Sequence, residues 1–85
     1  MKELQGKFNG RGQSKGFEFT QINKTDRGFI YLVDTGDTKY YEVFKRKENT
    51  MYNCVSYPTD KAFGIWAWTI KDYDSALEKL NSFLL

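Results

Sequence analysis

The stretch Phe63 to Leu85, FGIWAWTIKDYDSALEKLNSFLL, decides the fold. Its first part alternates with the period of a strand, and the rest repeats with the period of a helix. Ile70, Tyr73, Leu77, Leu80 and Leu84 recur at steps of three and four, with Ala76 beside them. That spacing draws one apolar stripe on an amphipathic helix. Phe83 and Leu85 fall beside the stripe or fray with the terminus. Two helix starts fit. Thr69 with Asp72 forms a capping box with Asp in place of Glu, and Trp68 and Tyr73 then form a hydrophobic staple. Alternatively Asp72 is itself the cap.

The strand before the helix is apolar on both sides. Period-two alternation puts Phe63, Ile65 and Ala67 on one face and Gly64, Trp66 and Trp68 on the other. A single helix covers one face of a sheet, so a face remains to be accounted for.

Working outward, the chain offers further strands. Phe17 to Ile22 has Phe17 and Phe19 on one side and Glu18, Thr20 and Ile22 on the other, and NKTDRG ends it as a turn. Phe29 to Val33 is the most apolar run and belongs in the middle of the sheet. Asp34 to Asp37 turns with Gly36 free to take positive φ. In Thr38 to Lys45, Tyr41, Val43 and Lys45 alternate with Tyr40, Glu42, Phe44 and Arg46. Tyr52 to Tyr57 reads as a further strand, broken by Pro58. Short loops make neighbours antiparallel. The expected architecture is α+β: a curled antiparallel meander of about five strands with one C-terminal helix on one face.

Eighty-five residues suggest a single domain over residues 1–85. Met1 to Gly16 is its least structured part, with four of the chain's seven glycines and three cations, Lys7, Arg11 and Lys15, after Gly6. It reads as a flexible basic arm, a mobile terminus or a glycine-bulged edge strand. The opening MKELQGKFNG has no apolar core of a signal peptide, and no run approaches the ~20 apolar residues of a membrane span. A cytoplasmic protein without membrane association is expected, and one cysteine fits a reducing compartment.

Catalytic chemistry finds few parts here. There is no histidine, which removes the commonest general base, the usual triads and most zinc sites. Cys54 reads as a buried structural thiol. Asp34 with Asp37 frames a turn, and Asp72 with Asp74 starts a helix. No enzymatic activity, metal or cofactor is expected.

The aromatics stand out, with seven phenylalanines, six tyrosines and two tryptophans. Three readings of the uncovered face follow. The first is single-stranded nucleic-acid binding, with Trp66, Trp68, Tyr31, Tyr40 and Tyr41 stacking bases and Arg11, Lys15, Lys45, Arg46 and Lys47 holding phosphates. Several antiparallel strands followed by a C-terminal helix is an order similar to that of the Pur-type and related single-stranded DNA binders. That resemblance is one of topology, without their sequence motifs. The second reading is a protein-interaction or homodimerisation domain using the same aromatic face. In the third, the sheet consumes its own aromatics as core.

Overall fold

A computed structural model describes residues 1–85. Its main sheet has five antiparallel strands: β1 (Lys7–Asn9), β2 (Glu18–Thr25), β3 (Gly28–Asp34), β4 (Lys39–Lys45) and, last in the chain, β7 (Ala67–Ile70). They lie in the order β1-β2-β3-β4-β7. Between β4 and β7 the chain leaves the sheet. There β5 (Glu48–Asn49) and β6 (Cys54–Val55) form a separate two-stranded ribbon. One helix, α1 (Tyr73–Ser82), packs on β3, β4 and β7. The expected α+β architecture is therefore present, and the sheet is open. No helix is long and apolar enough to cross a membrane.

The hairpin β3–β4 turns at Gly36 with φ of 93°, and Gly36 N–H bonds to Asp34 Oδ1 at 2.9 Å. Asp72 is the helix cap, its carboxylate accepting from Ser75 N–H at 2.9 Å, an arrangement worth about 1 kcal/mol. That bond holds the Asp72 carboxyl below its usual range. On the covered face Ile30, Val43, Ala76, Leu80 and Phe83 are buried together. Phe83, rather than Leu84, completes this core: Leu84 is 51 % exposed and Phe83 8 %. The chain tightens here, with Phe83 N–H bonding to Leu80 C=O. Three residues per turn bring position i+3 over the stripe and swing i+4 out. Gly28 makes room, since a Cβ there would lie 2.7 Å from the Phe83 ring and 2.6 Å from Phe44 C=O.

Several strand limits differ from the sequence reading. β2 runs on to Thr25 because a bulge between Gln21 and Asn23 takes up Ile22 as an extra residue. The NKTDRG turn shrinks to Asp26-Arg27. Lys7–Asn9 of the glycine-rich opening is an edge strand on β2. Tyr52 to Tyr57 is not a strand of the main sheet: Asn53 has φ of 51°, and only Cys54–Val55 pairs, with Glu48–Asn49. Cys54 is half-buried rather than buried.

The largest correction concerns FGIWAW. Gly64 has φ of 87°, and both Ile65 N–H and Trp66 N–H bond to Ala62 C=O. The segment winds into a turn, and the strand starts only at Ala67. Trp66 and Trp68 consequently lie on opposite faces, Trp66 with the far core and Trp68 with the helix core. Ile65 is thrown out to 72 % exposure.

The far face is not left open. Phe19, Phe29, Tyr31, Val33, Phe44 and Ala67 project from the sheet and are closed over by Val55, Ala62, Tyr57, Trp66 and Leu4. Tyr57 is the central plug. Its ring stands edge-on to Phe8, Phe19, Tyr31 and Phe44 at 5.3, 5.6, 5.1 and 4.9 Å. Edge-to-face pairs of this kind add about 0.5–1.5 kcal/mol each beyond their area. Arg46 fastens the cover. Its guanidinium donates to both Glu3 oxygens at 2.7 and 2.6 Å and to Glu48 at 2.9 Å.

Candidate functional site

The period of β4 builds the site. Tyr40, Glu42 and Phe44 point to the far face, and Tyr41 and Val43 point to the helix. Phe44 is deep in the core, while Tyr40 sits at its margin. Glu42, between them, is a carboxylate only 9 % exposed. The Tyr57 hydroxyl donates to its Oε1 at 2.6 Å. No buried polar side-chain atom lacks a partner, and no protein group bonds to Oε2, so Oε2 reaches accessible surface. Glu42 lines an open groove of about 670 Å³ whose walls include Phe8, Phe19, Tyr40, Tyr57 and Phe63.

The groove's charges are unevenly matched. Lys7 pairs with Glu18 at 3.6 Å. Arg11 and Asp60 also line the groove, and neither they nor Glu42 belongs to any of the four ion pairs. Burial raises the Glu42 carboxyl above its usual range, the Tyr57 hydrogen bond pulls it partly back, and Asp60 pushes it up further. Burial, then the charge of Glu42, raises the Tyr57 hydroxyl, which stays protonated and donating. Tyr40 is raised by burial and by Glu42.

A stability prediction follows. Because the folded carboxyl titrates above the unfolded one, the native state holds a proton that the unfolded chain has released. Stability contributed at this site falls as pH rises through that window, and below pH of about 4 both states are protonated. Glu42→Gln keeps an acceptor for Tyr57 and removes the buried charge. It is expected to raise the urea midpoint at pH 8 and to leave it unchanged below pH of about 4. A midpoint difference independent of pH would contradict the buried charge.

The residues singled out from sequence are dispersed. Tyr31 is fully buried, its hydroxyl donating to Gln5 C=O and accepting from Gln21 Nε2, so it presents no ring face. Tyr40 lines the groove. Tyr41 lies on the helix side, its ring 5.8 Å from that of Tyr73. Trp66 stands edge-on to Phe44 at 6.4 Å with Lys47 Nζ 5.8 Å from its centroid. Trp68 packs on Phe83 and carries Lys79 Nζ at 4.0 Å over its ring.

The cations separate as well. Arg11 and Lys15 are exposed in the β1–β2 connection, at the sheet end where Glu18, Asp34 and Lys39 are in register. Lys45, Arg46 and Lys47 are at the other end, about 20 Å away along a seven-residue strand. Arg46 is bound by two carboxylates, and Lys45 Nζ lies 5.8 Å from the Phe83 ring. Lys45 and Trp68 share a second groove with Arg27, Lys79, Asp26 and Glu48 near the helix end. No three His, Cys, Asp or Glu side chains converge as metal ligands.

Sequence reasoning passed over Glu42, Tyr57, Asp60, Phe8 and Phe63. One signal was available. Glu42 stands between Tyr40 and Phe44 on an otherwise aromatic strand face, where an acid is out of place unless something holds it. Comparison with protein-family models, curated proteins and solved structures finds no match for this chain.

Proposed function

We propose that the protein is a non-enzymatic interaction domain that receives a segment of another polypeptide in the groove above Glu42. The observation that carries this reading is Glu42 itself: a buried carboxylate with one oxygen held and the other open, at the foot of an aromatic-walled groove. A carboxylate held there lowers stability, and such costs are commonly kept where a surface works. Aromatic side chains such as those walling the groove are enriched at interaction surfaces. The absence of histidine, with Cys54 outside the groove, favours binding over catalysis.

Single-stranded nucleic acid is the weaker reading. Two acids, Glu42 and Asp60, offset the groove's two cations, Lys7 and Arg11, so the groove has no cationic surplus to hold phosphates. The remaining cations are split between sheet ends, and Tyr31 and Arg46 are committed elsewhere.

The test is an amide NMR titration with pools of random heptapeptides beside one with oligonucleotides at two salt concentrations. Peptides are expected to move the amides of Tyr40 to Glu42 and Asp60 to Phe63, and oligonucleotides to leave them in place. Salt-dependent oligonucleotide binding, with peptides silent, would overturn the proposal.

A further inference from the structure

We propose that the groove accepts the alkylammonium side chain of a lysine from the partner polypeptide, its ammonium on Glu42 Oε2 and its stem along the aromatic wall. This rests on the interaction-domain reading and specifies its chemistry.

Charge complementarity comes first. Glu42 is 9 % exposed and has no cation of its own chain within ion-pair distance. A carboxylate desolvated without a counterion is destabilising, and an incoming cation offsets that cost. Asp60 on the same groove adds to the attraction, while Arg11 and the Glu18-paired Lys7 on its wall oppose it, so the attraction is local to Glu42 and Asp60.

The rings point the same way. Cations already lie over Phe83, Trp66 and Trp68 in this molecule. None of those three rings belongs to the groove, whose own rings carry no cation. Aromatic faces attract ammonium groups, and a lysine stem packs along apolar wall while its charged head reaches a polar atom.

The free valence selects ammonium over guanidinium. Arginine gains its advantage from two parallel bonds to a carboxylate. Here Oε1 already accepts from the Tyr57 hydroxyl at 2.6 Å, which weakens it as the second acceptor of a parallel two-bond contact and favours a single N–H donor on Oε2.

The experiment compares three tripeptides, acetyl-Gly-X-Gly-amide with X as lysine, norleucine or arginine. Each is titrated at low salt into the whole chain, with groove amides as readout. The lysine peptide is expected to bind about tenfold more tightly than the norleucine peptide, the gain of one charge-assisted contact. Glu42→Gln is expected to abolish that preference while leaving the spectrum otherwise native, and Asp60→Asn to reduce it. Equal shifts from lysine and norleucine would overturn the ammonium site and leave the interaction groove standing. Arginine binding as tightly as lysine would overturn the selection for ammonium. A preference retained in Glu42→Gln would move the cation elsewhere and overturn the proposal. Groove amides unmoved by any of these peptides or by the heptapeptide pools would overturn both readings.

Discussion

Phe44→Ala is expected to remove about 3–5 kcal/mol of stability, the range for deleting a large ring from a packed core. Phe44 has no exposure. Its ring lies 5.4 Å from Phe29, 5.7 Å from Tyr31, 4.9 Å from Tyr57 and 6.4 Å from Trp66. The first two come from the neighbouring strand, and the last two from the segment that closes the far face. Removing this ring therefore loosens sheet and cover together, and the rigid strand backbone cannot collapse to fill the space. A domain of this size has total stability of about 5–15 kcal/mol, so the variant should show a much lower urea midpoint and a population unfolded without denaturant. A loss below about 1 kcal/mol would mean that the far face is not a core.

Leu80→Ala tests the other face. Leu80 has no exposure and packs with Ile30, Val43, Ala76 and Phe83. The expected loss is about 2–5 kcal/mol. Leu77 is only half-buried at the margin of that cluster, so Leu77→Ala should cost less than Leu80→Ala. Equal losses would mean the helix is rotated from the orientation described. Urea unfolding measures both, with the slope reporting whether the native state stays compact. Phe44 and Leu80 lie in different clusters on opposite faces of the sheet. Their losses should be close to additive for sites without shared partners, which would leave the double variant unfolded.

Much of the fold was legible because it follows from local periods. The recurrence of Tyr73, Leu77 and Leu80 identifies the helix, although Ile70, read on the same stripe, ends β7 instead, and Asp72 with Ser75 closes the first helical turn. The alternation in 39-KYYEVFK-45 sorts its side chains between faces as observed. The antiparallel order of the consecutive strands follows from short loops. The site was legible only in part. Tyr40 and Glu42 were visible as neighbours on one face, but Tyr57 is fifteen residues from Glu42 and belongs to a segment without regular period.

Two misreadings have different causes, one local and one long-range. Gly64 is compatible with a strand and with a left-handed turn, and sequence alternation does not choose between them. The turn wins because Ala62 C=O accepts two N–H groups and Ala67 C=O accepts from Gly64 N–H. Trp66 is thereby rotated to the far face. Arg46 reads as an open cation until the N-terminal segment brings Glu3 to it, forty-three residues away. Glu3 in turn is held below the usual carboxylate range by that guanidinium.

The sequence by itself determined an antiparallel sheet with one helix, the sidedness of β3 and β4 and the presence of apolar side chains on both faces, because these depend on the repeat of neighbouring residues. Tertiary structure alone decided what covers the far face, which aromatics stay accessible and where a carboxylate stands open. Those outcomes depend on irregular segments that carry no period and are shaped by the surface they close over.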